Sequence, residues 1–427
     1  MTRRRVFLGV VVAAGLALPP ARARAADEGR PLALSGYVHV DAVAFRQSSE
    51  SQLDPSTGAP LNESRFLLRR ARLRAESDQG YLHGALELDA NTIAGPQVRP
   101  FAAEATFKWP ASEPYRGPAE LARATFARPT FAVSAGLLMT PFGYEVPERE
   151  NVRPFLERST FANELVPQSY DLGVRIMGGF GHVSYAFAVV NGSPIGNRTF
   201  PGQDPDTSKD LVFRVGGTGS IFGALRLSAG VSGLTGRGFH AGSPPTKDAV
   251  QWRDENGDGI VDVPELRVLP GAPGTPSEGF RRFALGADVN ATLTLPGLGD
   301  LTARGELVRA KNLGRGTLVA DPVAAGRDLR ELGATVSLTQ ELTPLGLVGV
   351  RFDTYDPDTD ADEALPFVRV PRDTSLSTWA LLAMIRWKKA RLVVEYDHRK
   401  NPFGRSPTGT STTLPDDSLT FRAVVGF

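Results

Sequence analysis

The chain has no cysteine, only four methionines and four tryptophans, and almost no net charge, +1 over 427 residues. Without thiols it has neither disulfide staples nor thiolate metal sites, and a chain bound for an oxidising compartment avoids mispaired sulfur in this way. Beyond residue 18 no apolar run reaches 18 residues, which excludes a helical membrane protein. Residues 1–25 hold five arginines and no acid, so the remainder carries 43 basic against 47 acidic side chains, a balance of −4. A chain this near neutrality has no global basic field, which argues against nucleic acid as a partner.

What is present begins with Arg3, Arg4 and Arg5, then an unbroken apolar run over 6–18 and a small-x-small exit at Ala23, Arg24 and Ala25. This pattern is a secretory signal peptide over 1–25, leaving 26–427 as a single domain. The apolar run is 13 residues, short of the roughly 20 that a spanning helix needs, and Pro19 and Pro20 follow it. The 45 glycines and 33 prolines point to many turns and strands.

The last ten residues, SLTFRAVVGF, show what those strands are. Leu419, Phe421, Ala423, Val425 and Phe427 alternate with Thr420, Arg422, Val424 and Gly426, giving a ribbon with two unlike faces. Similar alternation recurs over 34–47, 64–77, 80–92, 118–127, 130–139, 169–178, 182–192 and 208–219. It continues over 222–236, 278–294, 299–313, 327–341, 346–356, 374–387, 390–400 and 417–427, for a total of sixteen. Tight connections such as 77–80, 178–181, 295–299 and 388–389 alternate with long ones. The expected fold is therefore all-β, a 16-stranded antiparallel transmembrane β-barrel with short periplasmic turns and long outer loops in a bacterial outer membrane. The stretch 101–109 also alternates, but a full strand there breaks the parity, so it is assigned to the long second loop.

The faces agree with lipid outside and water inside. In 374–387 one face reads Trp379, Leu381, Ala383, Ile385, Trp387; in 278–294 Phe283, Leu285, Ala287 and Val289 oppose Arg282, Asp288 and Asn290. In 64–77 the lipid face is read through Leu67, Ala71, Leu73 and Ala75, which sends Arg70, Arg72 and Arg74 into the lumen about 7 Å apart. Arg69 then points outward, a defect in this register that a bulge could rescue. By the same alternation Arg123, Arg175, Arg214, Arg226, Arg282, Arg304 and Arg422 face the lumen, with Asp89 among the acids. Such a wall reads either as an anion path or as a solvated surface of mixed charge pairs.

Three stretches resemble the phosphate-selective porins O and P of Gram-negative outer membranes. They are FLLRRARLRAES (66–77) with GALELDA (84–90), FAVSAGLLMTPFGYE (131–145) with FLERS (155–159), and the closing FRAVVGF. The resemblance implies a homotrimeric porin in outer-membrane lipid, passing small anions such as phosphate along arginines. It also implies that 140–168 is a constriction loop folded into the lumen; Glu145, Arg149, Arg153 and Arg158 are its charged candidates. A general porin without anion selectivity, or a structural or enzymatic barrel, is the alternative. His39, His83, His182, His240 and His398 sit in no nucleophile motif, so no enzyme activity is expected.

Within the long outer loop 237–277, DENGDGIVDVPE places Asp254, Asn256, Asp258, Ile260, Asp262 and Glu265 at positions 1, 3, 5, 7, 9 and 12 of a calcium-type loop, with Gly259 at 6. Prolines on both sides exclude flanking helices. A structural Ca2+ that stiffens the loop is the expectation.

Overall fold

A computed structural model describes residues 32–45, 54, 56–57, 64–93, 95–200, 203–221, 223–254, 256–260, 262–365, 368–405, 411–414 and 416–427. The expected signal peptide, 1–25, lies outside the described residues. Sixteen strands form one closed antiparallel barrel. The first eight are β1 (Ala33–Phe45), β2 (Ser64–Gln79), β3 (Leu82–Asn91), β4 (Gln97–Trp109), β5 (Phe126–Met139), β6 (Tyr170–Gly181), β7 (Val183–Val190) and β8 (Asp210–Ile221). The second eight are β9 (Leu225–His240), β10 (Glu278–Leu295), β11 (Gly299–Lys311), β12 (Arg330–Glu341), β13 (Gly346–Asp356), β14 (Leu376–Trp387), β15 (Ala390–Lys400) and β16 (Ser418–Gly426). Each pairs with its sequence neighbours, and β16 returns to β1 from Phe45↔Ser418 to Tyr37↔Gly426. Among the described residues, helix is confined to single turns, α1 (Pro118–Leu121), α2 (Thr160–Leu165), α3 (Pro322–Ala325) and a short 3-10 turn.

The alternation separates two surfaces. On β14, Trp379, Leu381, Ile385 and Trp387 are all more than half exposed on the outside, while Ala380, Leu382 and Met384 are buried within. On β10, Phe283, Leu285 and Val289 face out and Arg282, Asp288 and Asn290 are buried inside. Phe427 donates its backbone N–H to the Gly36 carbonyl at 3.0 Å, so the last residue is knitted into the seam.

Two parts of the sequence reading are corrected. The stretch 101–109 is a strand, the body of β4, and 118–127 is not: it opens with α1 and enters β5 only at Phe126. Strand count is conserved because the two swap roles. Expecting every connection at the turn end to be short caused the error. The β3–β4 connection at the loop end is short, 92–96, whereas the β4–β5 connection at the turn end is the long one, 110–125. Pro114 and Pro118 cannot donate to a ladder. Pro100 is tolerated within β4 because the register shifts there, pairing Leu88 with Pro100 and Glu87 with Ala102.

The second correction concerns β2. Its register against β1 jumps between His39↔Arg70 and Val40↔Leu68, leaving Arg69 as a bulged residue without a ladder partner. The bulge reverses the faces on its N-terminal side. Leu67, expected toward lipid, is buried, and Phe66 points out instead with 85% of its surface exposed. On the C-terminal side Ala71 and Leu73 keep the expected direction.

Gly36 is where the seam leaves no room: an added Cβ would sit 2.3 Å from the Phe427 ring and 2.4 Å from the Arg72 carbonyl. We expect Gly36→Val to lower the yield of closed, heat-resistant barrel, read as loss of the compact band in unboiled electrophoresis. Wild-type mobility in the variant would show that the seam does not depend on this glycine.

Candidate functional site

The interior is crossed by the segment joining β5 to β6, 140–169. It stays there because one face is apolar. Phe142, Val146, Phe161, Leu165 and Val166 form a buried cluster with inward residues of the opposite wall, among them Val212, Leu234, Val308 and Tyr355. Phe155 and Leu156 pack on Ala380, Leu382, Met384 and Val393. Full burial of a Phe or Leu contributes about 1.5–3 kcal/mol each, so this face alone opposes release of the segment. Gly143 accommodates the closest approach, at φ 65, where a Cβ would meet the Glu306 carboxylate at 1.9 Å. Glu306 in turn accepts from the Tyr144 and Glu145 amides at 3.2 and 3.0 Å.

The other face of the segment is charged and meets the arginines of β2. Arg70 donates two parallel bonds to Glu157, 3.1 and 2.9 Å. Arg72 does the same to Glu150, 2.9 and 3.1 Å, and also reaches Glu87 and Asp89 of β3. Arg74 binds Glu76 at 2.7 Å and Glu87 at 3.1 Å. The bulge turns Arg69 inward, 3.0 Å from Glu157. Arg422 closes the cluster, forked onto Asp41 at 2.7 Å and onto Glu157 at 2.8 Å. The column of cations is therefore matched by carboxylates from both the wall and the segment. Such pairing is what lets guanidinium groups be buried.

The remaining sequence candidates fall into separate places. Arg175 is almost fully buried and donates to Glu104 at 3.0 Å and to the Met139 carbonyl. Arg214 forks onto Asp288, and Arg282 onto Asp210. Arg304 meets Glu148 at 2.9 Å. Arg226 lies at the turn end, mostly exposed, against Asp300. Arg123 is not on a strand: it follows α1, contacts the Tyr144 hydroxyl and pairs with Glu148 at 2.9 Å. Within the crossing segment, Arg149 reaches Glu87 at 3.5 Å and remains one-third exposed. Arg153 and Arg158 are buried and point into the segment itself, donating to the Glu148 and Val166 carbonyls. Glu145 accepts from the Ser159 amide and hydroxyl.

Two interior groups had no signal in the sequence. Arg315, in the loop after β11, donates to the Leu165 and Gly192 carbonyls and to Asp210, tying two other connections to its own. Tyr115, in the turn-end connection 110–125, donates to Glu104 at 3.1 Å, accepts from Arg175 at 2.6 Å and stacks on His83 at 4.2 Å. That connection folds into the barrel mouth, anchored by Leu121 and Phe126 on Ala132, Met177 and Ala186.

Two cavities flank Arg74 and Arg149. One, about 330 Å³, is lined by Arg72, Arg74, Arg149, Arg386, Lys388, Lys389 and Arg391, with Glu87 as its one acidic side chain. The other, about 530 Å³, lies toward 110–125 and mixes Arg74, Arg149 and Arg175 with Glu76, Asp78, Glu104 and Glu120.

In the calcium-type loop the carboxylates serve the loop's own amides. Asp254 accepts from Gly257 and Gly259 at 2.6 and 2.8 Å; Glu265 accepts from Asn256 and Asp262 at 3.1 and 3.0 Å. Asp258 accepts from the Ile260 amide. Among the described residues no three His, Asp or Glu side chains are grouped to hold a metal ion. The donor types and spacing fit calcium, but this arrangement of the side chains does not form a cage.

Compared with known families and with curated proteins, the chain matches none. The fold does have solved counterparts. OmpT, an outer membrane protein of Vibrio cholerae in its trimer form, aligns with TM-score 0.52 and 10% identity over 93% of this chain and 99% of that one. The outer membrane channel DcaP of Acinetobacter baumannii gives 0.52 and 12% over 93% and 97%. An anion-selective porin from Comamonas acidovorans gives 0.50 and 10% over 93% and 99%. At such identities the likeness is one of fold.

Burial would raise Glu150 and Glu157, but the arginines around them outweigh it, Arg72 and Arg70 for the first and Arg69, Arg70 and Arg422 for the second, and hold both carboxyls well below the ordinary 4.5. Depressed carboxyls stabilise the docked segment fully above the ordinary value and lose that contribution progressively as pH falls from there through the depressed one. We therefore expect 140–169 to resist limited proteolysis equally from pH 7 to pH 5. Glu150→Ala, which strips Arg72 of its forked partner, should be cut within 140–169 already at pH 7; wild-type resistance in the variant would show that this pair does not hold the segment.

Proposed function

We propose that the chain is a bacterial outer-membrane porin, delivered by a cleaved signal peptide and assembled as a homotrimer, through which small solutes diffuse passively without catalysis. The observation that carries this reading is the pairing of a continuous apolar exterior with a charged, partly filled interior in one closed barrel. Lipid suits the first and only water suits the second. The solved counterparts support it, since one is named an outer membrane protein, another an outer membrane channel and the third an anion-selective porin.

For the solute, the cationic cavity near the seam supports small anions, phosphate among them. Seven basic side chains face it against Glu87. Arginine forks match phosphate oxygens, while Arg149, loosely paired and one-third exposed, has donors to spare. The constriction would lie between that residue and the wall. Likeness to the phosphate-selective porins O and P in the β2, β5 and closing-strand sequences supports the same direction. A general porin is the second reading, favoured by the carboxylate partners of Arg70, Arg72 and Arg74.

A salt gradient across single channels separates the two. An anion path gives a reversal potential of chloride sign, partial block of the chloride current by millimolar phosphate, and a shift toward cations in Arg149→Glu. Equal permeability to both ions leaves the general porin. The membrane itself is tested by a pair of charges: Leu285→Arg, on the outer face near the middle of β10, should cost about 2–4 kcal/mol and abolish folded barrel, whereas Thr302→Arg, half-buried on the inner face between Thr292 and Thr339, should be tolerated. Similar losses in both would remove lipid from the reading.

Calcium in 254–265 belongs to the proposal as a structural ion that would draw Asp254, Asn256, Asp258, Asp262, Glu265 and the Ile260 carbonyl around itself. Titration calorimetry on the full chain should give binding heats that Asp258→Ala abolishes. Equal heats in the two proteins would remove the ion.

A further inference from the structure

The larger cavity, about 530 Å³, is enclosed where two inturned pieces of chain approach each other, 110–125 from the turn end and 140–169 from the loop end. Its volume is in the range of built ligand sites, about 300–1,000 Å³. We propose that it is a holding site for small zwitterionic solutes of amino-acid or short-peptide type, a substrate class that rests on the porin reading. Arg149 would take the carboxylate, and Glu76, Asp78 and Glu120 the ammonium.

Charge distribution carries the class. Arg149 stands on one side with most of its donors unused. Across from it, each of three carboxylates has one oxygen engaged, Glu76 by Arg74 at 2.7 Å, Asp78 by Lys108 at 3.1 Å and Glu120 by the Gly117 amide at 3.3 Å. Their second oxygens have no protein partner. A simple anion drawn to Arg149 would face these acids, and a simple cation would face Arg149; a solute bearing both charges satisfies both walls. The neighbouring cationic cavity has no such acidic wall, so the two differ in the solutes they suit.

His83 is the independent sign of a ligand. It lines this cavity, is 7% exposed, and neither ring nitrogen has a hydrogen-bond partner in the protein. Leaving a buried polar atom unpaired costs about 1–3 kcal/mol, and such atoms are usually satisfied. The ring cannot swing away to find partners, because Tyr115 stacks on it and is itself pinned by Glu104 and Arg175. Its nitrogens lie just beneath the cavity surface, where a solute that shifts the Tyr115 ring would reach and satisfy them.

The test is current block in planar bilayers by alanyl-alanine, with acetate and ethylamine as single-charge controls. Alanyl-alanine should interrupt the current at concentrations about tenfold below those of either control. In His83→Phe, which retains a ring for Tyr115, and in the double variant Glu76→Gln, Asp78→Asn, its block should weaken about fivefold relative to each variant's own open-channel current, which also certifies folding. Acetate blocking as strongly as the dipeptide, or channels that open but ignore the dipeptide, would overturn the inference and leave the porin reading intact. If the protein forms no channels the porin reading fails, and calorimetry of alanyl-alanine with the detergent-solubilised full chain judges the cavity alone: heat that His83→Phe removes supports it, and no heat overturns it.

Discussion

The structure depends on the backbone hydrogen bonds between β16 and β1. A sheet whose outer face is apolar and shielded from water cannot leave an edge open, because every unpaired N–H and C=O would be stranded. Sealing that edge fixes the strand count as even, fixes the register at the seam, and forces the aromatic last residue against Gly36, where no side chain fits. Once the ring is closed, side-chain alternation separates the two surfaces without further help, and the inward half must be filled, paired or wetted.

The interior uses all three solutions. Toward β7–β15 it is filled, by an apolar cluster no different in kind from a soluble core. Toward β1, β2 and β16 it is paired, with guanidinium forks on carboxylates that come from strands and from 140–169 alike. The water-accessible cavities adjoin the paired region, with Arg74 and Arg149 in the wall of both. A single unmatched arginine would be expensive to bury, but a network in which Arg70, Arg72, Arg74 and Arg422 each have two or three acids gains specificity of arrangement as well as charge balance. The crossing segment is held by both kinds of contact at once.

How much of this could be read from residues alone follows from which interactions are local. Period-two alternation identified fifteen strands, because face polarity is written into neighbouring residues. It failed at 101–109 and 118–127, where the deciding feature was which end of the barrel carries a long connection, a property of the whole ring. At Arg69 the sequence announced a defect, an arginine on the wrong face, and the bulge is its physical resolution. Inward arginines were legible as a column, and so were the acids of an inturned 140–168 as their partners; which acid meets which arginine was not, since Glu150 and Glu157 lie about eighty residues away, and Asp41 and Arg422 at opposite ends of the chain. Tyr115 and Arg315 sit in connections with no periodicity and left no mark. Arg123 was misassigned along with its strand, and Arg153 and Arg158 serve the crossing segment's own carbonyls, a role that charge density cannot foretell.

The crossing segment also constrains the order of assembly. Ser232, Glu306, Asp353 and Glu395, the anchors of its far side, are all synthesised after it, Glu395 239 residues beyond the Leu156 amide that it holds. It therefore cannot dock as it emerges; an oily ribbon with Phe142, Phe155 and Phe161 must wait, unsheltered, until the far wall exists. Closure of the ring and internal filling are thus one terminal event, and the stage just before it is the one at which the nascent chain is most exposed to aggregation.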